Sequence, residues 1–133
     1  FSRIGHAPAR RLPWDPGDGC IHWVYVGRGG EDMARSVGAL FEAIALHAPP
    51  ALRARLRLHF IGTSYAAGDG TQTIAPLARR HGLDDIVREQ TGRVPYSTAL
   101  ACLRAADALV VPGSDDPAYT ASKIYPYLLA GKP

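Results

Sequence analysis

The sequence has little of what marks several protein classes. Its 133 residues include only two cysteines, Cys20 and Cys102, which lie far apart and outside any C-x-x-C pair. This argues against a disulfide framework or a zinc site built on paired cysteines, and it favours reduced thiols in a cytoplasmic protein. No apolar run approaches the ~20 residues of a membrane-spanning helix, and no signal-peptide pattern opens the chain.

Charge is also modest. The formal net charge is +3, charged residues make up 20% of the chain, and most arginines are scattered rather than clustered. This pattern argues against nucleic acid as a partner, although it is compatible with an anionic ligand. With 133 residues and a hydrophobic fraction of 47%, the chain is expected to form one domain around a single core.

Strand-like and helix-like patterns alternate four times along the chain. Residues 1–20 contain three prolines and three glycines, which predicts a linker or irregular arm, with Trp14 as a residue that anchors it to a surface. The predicted strands cover residues 21–26, 57–62, 86–90 and 108–111, with helices between them. In the first predicted strand, both the odd-numbered and the even-numbered positions include apolar residues, as expected for a strand that is buried on both faces. We therefore predict an α/β fold: a three-layer, Rossmann-like domain with a parallel, doubly wound sheet of about four strands.

Ligands of such sheets collect at the carboxyl ends of the strands. Three glycine-containing loops are expected there, at residues 27–30, 62–70 and 113–122. Glycine amides approach anions closely and helix N-termini favour negative charge, so a phosphate-bearing ligand is predicted. Two cations lie on these loops: Arg28, and Lys123 beside Thr120 and Ser122. The alternatives are a plain tight turn for residues 27–30 and solvated positions for the two cations.

Other chemistry has weaker support. Adjacent Asp115 and Asp116 have no companion ligands, so a turn or helix-start cluster is favoured over a metal site, and no metal is predicted. The histidines form no H-E-x-x-H or i, i+4 pair, and His22 and His59, inside predicted strands, are assigned a core role. No nucleophile and base can be paired from these residues.

Five segments in order carry a family resemblance: residues 24–30, 59–62, 81–94, 103–114 and 122–133. Together they resemble the C-terminal, donor-binding domain of GT-B glycosyltransferases, in the retaining group that uses nucleotide-sugars, often called group 1. The resemblance covers nearly all of residues 21–133. It implies a Rossmann-like half-enzyme that binds a nucleoside-diphosphate sugar.

The resemblance also implies roles for individual residues. Gly27, Arg28 and Lys123 would reach the donor diphosphate, and Arg28 and Lys123 would stabilise the departing nucleoside diphosphate without a metal or other cofactor. Arg93 and Val94 would lie near the nucleotide base. The remaining predicted donor-binding residues are Gly29, Gly30, Ser114, Tyr119, Thr120 and Ser122.

Two positions depart from the family pattern. Pro126 stands where the family usually has the glutamate that holds the nucleotide ribose, and no basic residue occurs among residues 31–34. Residues 21–133 are read as an incomplete donor-binding domain cut short at its C-terminus, with the acceptor site in a missing N-terminal domain. The fragment alone is expected to be inactive, and the full-length enzyme to be cytoplasmic or peripheral to a membrane.

Two other interpretations stay open. One is a non-catalytic binding or interaction module on the same fold, with Pro126 marking a degenerate nucleotide site. The other is an NAD-binding Rossmann domain, which is disfavoured because the sequence contains no G-x-G-x-x-G and no acidic residue plainly ends the second strand.

Overall fold

The computed structural model describes residues 12–64 and 71–113 of the chain. Four strands alternate with helices in these residues. The elements are β1 (Ile21–Val26), a 3-10 helix (Glu31–Met33), α1 (Ala34–His47), α2 (Pro50–Arg55), β2 (Leu56–Ile61), α3 (Ala75–Arg80), β3 (Val87–Gln90), α4 (Tyr96–Ala105) and β4 (Ala108–Leu109). None of the helices in this part of the chain is long and apolar enough to cross a membrane.

The strands form one sheet in the order β3-β2-β1-β4, and every pairing is parallel. The connections from β1 to β2 and from β2 to β3 run in one direction across the sheet, whereas the connection from β3 to β4 returns past β1. Right-handed crossovers therefore place α1 and α3 on one face and α4 on the other. The predicted α/β, Rossmann-like fold with a parallel, doubly wound sheet is confirmed, and its switch point lies between β1 and β4.

Two differences from the predicted elements have local causes. The helix α1 ends before Pro49 as expected, but Pro50 starts a further helix, α2, because proline is well tolerated at the first helical position. The predicted strand over residues 108–111 is shorter: β4 ends at Leu109, although the Val110 amide still donates to Val24 O at 2.8 Å. Beyond it, Pro112 has no N–H to continue the ladder.

The face under α1 and α3 holds an aromatic core. Phe41 of α1 meets the Phe60 ring edge-on, with centroids 5.9 Å apart, and Tyr25 of β1 lies 6.0 Å from Phe60. Val37, Phe41 and Ile44 are the buried residues of α1, at the helical spacing that the sequence shows. This packing fixes α1 against the face of the sheet that carries Tyr25 and Phe60.

The opposite face is covered in part by the segment before β1. Trp14 stacks on both His22 of β1 and His59 of β2, with ring centroids 4.9 and 4.4 Å apart. The side chain of Arg55 also donates to Gly19 O at 3.0 Å. The expectation that Trp14 anchors the preceding segment to a surface is thus confirmed for residues 12–20.

Candidate functional site

The loops after the four strands meet at the carboxyl edge of the sheet, as the parallel order requires. The loop after β4 reaches the start of α1, where the Ser36 hydroxyl donates to Gly113 O at 2.7 Å. Gly113 therefore lies beside the first turn of α1, which follows the β1 loop (residues 27–30) and the 3-10 helix in the chain. A crevice at this place is where doubly wound sheets bind their ligands.

The backbone of the β1 loop is held by its neighbours. The amide of Gly27 donates to Ile61 O and that of Gly29 to Thr63 O, both at 2.9 Å. The Tyr25 hydroxyl donates to Arg28 O at 2.8 Å. The predicted glycine amides at positions 27 and 29 thus already donate to main-chain carbonyls, and the fixed loop offers mainly its Arg28 side chain to a ligand.

Glycine is required at two positions of this loop for steric reasons. A Cβ added to Gly29 would lie 2.5 Å from Thr73 Oγ1, so the β1 loop can approach the start of α3 only without a side chain. Gly30 has a φ of 156°, and an added Cβ would lie 2.7 Å from Asp32 Oδ1. These glycines serve close packing, which the sequence patterns of phosphate loops do not distinguish from anion binding.

Arg28 forms a bidentate ion pair with Asp32. Its Nη1 and Nη2 donate to Asp32 Oδ1 and Oδ2, each at 2.9 Å. Both side chains are partly buried, at 29% and 22% exposure. Sequence reasoning missed this contact, although its i, i+4 spacing is a familiar signal, because the pair bridges a loop and a 3-10 helix rather than an α-helix.

The side chain of Glu89 lies at the start of α3, which follows the second loop where an anion was predicted to bind. Its carboxylate accepts from the amides of Ile74 and Ala75 at 2.9 and 2.8 Å and from that of Thr73 at 3.2 Å. The Thr63 hydroxyl also donates to it. The start of α3 is therefore capped by a side chain of the protein itself. An acidic residue inside a predicted strand was the signal that could have revealed this cap.

The two residues assigned to the nucleotide base lie on the loop after β3, at the same edge. Arg93 is exposed, while Val94 is partly buried and packs against the core. Tyr96, two residues further on, begins α4 with 64% of its surface exposed. The loop and the start of α4 thus present one cation and one aromatic ring to solvent at the carboxyl edge.

The other predicted site residues lie outside the described residues. They are Ser114, Tyr119, Thr120, Ser122 and Lys123, and the same holds for Asp115, Asp116 and Pro126. Of the predicted set, the structure places Gly27, Arg28, Gly29, Gly30, Arg93 and Val94, and all six follow β1 or β3 at one edge of the sheet.

A second polar cluster lies beneath Trp14 and away from this edge. His22 Nδ1 and His59 Nε2 are 2.9 Å apart, and His22 Nε2 lies 3.1 Å from both carboxylate oxygens of Asp18. Since a carboxylate only accepts, His22 Nε2 carries a proton, and in the neutral pair His59 Nε2–H donates to His22 Nδ1. The core role expected for both histidines agrees with their exposures of 3% and 4%.

Burial decides the ionisation of this cluster. Removal from water, reinforced by the neighbouring His22, lowers the pKa of His59 from 6.5 to about 4. The Cys20 amide and the His22 ring hold the pKa of Asp18 below its usual value. His59 is therefore neutral near pH 7, as a hydrogen-bonded core histidine should be.

The two cysteines form no disulfide within residues 12–64 and 71–113. Cys20 and Cys102 are both free thiols, and burial raises the pKa of Cys102 to about 11, which keeps it protonated and unreactive. No cluster of three or more His, Cys, Asp or Glu side chains in these ranges is arranged to hold a metal ion.

No protein-family model matches the chain, and a search of curated proteins finds no significant match. Function must therefore be argued from the site itself.

Proposed function

We propose that this chain is the donor-binding domain of a glycosyltransferase, which binds a nucleoside-diphosphate sugar in the crevice between β1 and β4. The observation that carries the proposal is the placement of Arg28 on a glycine loop that main-chain hydrogen bonds hold at the end of β1, one of the two strands at this switch point. The resemblance of the sequence to GT-B donor domains supports the same ligand. Residues 114–123, which follow Gly113 directly in the chain, carry the other residues of the proposed site.

The proposed chemistry is electrostatic. A guanidinium offers several N–H donors in a plane and pairs well with phosphate oxygens, so Arg28 would bind the donor diphosphate and stabilise it as it departs. Lys123 would contribute a second positive charge. The exposed Arg93 and the adjoining Val94 would contact the nucleotide base from the loop after β3, which β2 separates from β1 in the sheet. The acceptor would be supplied by a separate domain, as the resemblance implies.

The test is calorimetric titration of the chain with UDP, GDP and their sugar conjugates. We expect binding of one nucleotide class, weakened by roughly tenfold or more in both Arg28→Ala and Lys123→Ala, since charge-assisted contacts to phosphate are among the strongest hydrogen bonds. The matched control is Arg104→Ala, which removes the same charge from an exposed position in the last turn of α4. An unchanged nucleotide affinity in Arg28→Ala would contradict the proposal.

A second candidate is a non-catalytic interaction module on the same fold. It is favoured by a specific observation: Arg28 and the start of α3 already hold carboxylates of the protein, from Asp32 and Glu89 respectively. Under this alternative, the folded chain should bind none of the nucleoside diphosphates or their sugar conjugates. The same titrations therefore separate the two functions.

A further inference from the structure

The Arg28–Asp32 pair is built into the β1 loop rather than formed by chance on the surface. Arg28 Nη1 and Nη2 each donate to a carboxylate oxygen of Asp32 at 2.9 Å, and both side chains are more than two-thirds buried. The pair also depends on glycine at position 30, where a Cβ would lie 2.7 Å from Asp32 Oδ1 and 3.1 Å from Arg28 Nη1. Loop and side chains are thus fitted to one another.

The backbones that carry the two side chains are fixed independently of the pair. Arg28 O accepts from the Tyr25 hydroxyl, and Asp32 belongs to the 3-10 helix that begins where the Met33 amide donates to Gly30 O at 3.1 Å. Met33 is buried, with 1% exposure. Opening the ion pair by side-chain rotation also gives up the 3.5 Å contact from Arg28 Nη1 to Gly29 O, but it leaves these backbone hydrogen bonds in place.

Resting on the proposed function, we propose that Asp32 is a built-in counter-ion that a phosphate ligand displaces from Arg28, and that Asp32 thereby sets the affinity of the site. In the closed pair the two charges cancel, so a passing anion meets little net positive potential at the β1 loop. A ligand with several phosphate charges can replace the carboxylate, since it offers more charge and more acceptor oxygens than one carboxylate does. A singly charged anion gains too little to do so.

The informative substitution is Asp32→Asn. Asparagine has nearly the same shape and keeps one oxygen that can accept from Arg28, but it removes the competing charge. We expect it to tighten binding of UDP and of inorganic pyrophosphate by roughly tenfold, because a unit charge a few ångströms from the ligand is worth at least that factor in a partly buried site. Adding Arg28→Gln to Asp32→Asn should abolish the gain.

The matched control is Asp85→Asn, which also removes one carboxylate that is paired with an arginine. Asp85 contacts Arg53 at 3.1 Å on an exposed surface, with 61% of its side chain exposed. It should leave both affinities unchanged. Thermal unfolding of each variant checks that the differences arise at the site and not from loss of fold.

The outcomes separate this inference from the proposed function. If UDP binds the unsubstituted chain through Arg28 but Asp32→Asn brings no gain or weakens binding, the counter-ion role is wrong and the proposed function stands. If pyrophosphate gains affinity in Asp32→Asn while no nucleotide or nucleotide-sugar binds, the counter-ion role stands and the proposed function is wrong. Absence of binding by either probe in every variant overturns the inference.

Discussion

The two faces of the sheet are buried by different chemistry. Under α1 and α3, Phe41, Phe60 and Tyr25 form an aromatic cluster. On the other face, Trp14 stacks on the paired imidazoles of His22 and His59. Both coverings exclude water, but the second is built on two buried imidazoles, which are ionisable groups.

This difference separates two contributions to stability. Burial of phenyl rings depends on area and packing, and it is insensitive to pH. Burial of an imidazole is favourable only while the ring is neutral and hydrogen-bonded, because a buried charge must be paired. The face beneath Trp14 should therefore weaken in acid while the aromatic face persists.

The largest effect is expected on the aromatic face. Phe41→Ala should lower the free energy of unfolding by about 3–5 kcal/mol, since it removes a fully buried ring and leaves a cavity against Phe60. Urea denaturation at pH 7 measures the change. Leu46→Ala on the same helix is the control, because Leu46 is 68% exposed and should cost less than about 0.5 kcal/mol. Equal losses of unfolding free energy in the two variants would contradict the expectation that burial of the Phe41 ring stabilises the aromatic face.

The second prediction concerns pH and the imidazole face. The pKa of His59 falls from 6.5 in the unfolded chain to about 4 in the folded one. Its stabilising contribution is therefore complete above pH 6.5 and is lost progressively as the pH falls towards 4. The expected loss between pH 7 and 4.5 is on the order of 2 kcal/mol, since stability changes by at most ~1.4 kcal/mol per pH unit between the two pKa values.

Urea denaturation at several pH values between 7 and 4.5 measures this loss. His59→Phe keeps a ring for Trp14 to stack on and removes the ionisable group, so its stability should vary less over this range. The control is His47→Gln, which alters an exposed histidine at the end of α1 and should leave the pH dependence unchanged. An unaltered slope in His59→Phe would show that the pH sensitivity arises elsewhere.

The third prediction concerns the charge on the aromatic face. Glu89 pairs in register with Phe60 and so shares its face, yet it is compensated by three amides and a hydroxyl. Glu89→Gln should cost about 1–2 kcal/mol at pH 7, because one amide group cannot accept from all of these donors. Urea denaturation measures it, with the exposed Glu42→Gln as control. A cost no larger than the control's would mean that the cap is unimportant.

Features of this fold that depend on short stretches of sequence can be predicted from the sequence, whereas contacts between residues far apart in the chain cannot. The strand near residues 21–26 follows from apolar residues at both alternating positions, which is the pattern of a strand buried on two faces, and the strand near residues 57–62 is closed by glycine. The alternation of strands and helices then predicts a parallel, doubly wound sheet, and the connection rules restrict its handedness. Both inferences need only short windows of sequence.

The contacts that matter at the edge and beneath Trp14 are not local. His22 meets His59 only because β1 and β2 pair in the register that sets Val24 beside His59. Glu89 reaches the start of α3 across 14 to 16 residues of chain. Neither register nor the approach of a loop is encoded in a short pattern, so the candidate loops could be predicted but not the carboxylates that occupy them.

The smallest effect is expected for Trp14→Phe. The Nε1 of Trp14 is buried and has no hydrogen-bond partner within the described part of the chain, so the indole contributes its ring and not its donor. Phenylalanine keeps a ring over His22 and His59 and removes an unsatisfied N–H, which offsets the lost area. The free energy of unfolding should therefore change by less than about 0.5 kcal/mol, whereas Trp14→Ala should cost about 3 kcal/mol. Urea denaturation at pH 7 distinguishes them, and a loss in Trp14→Phe close to that in Trp14→Ala would show that the imidazole face requires the indole itself.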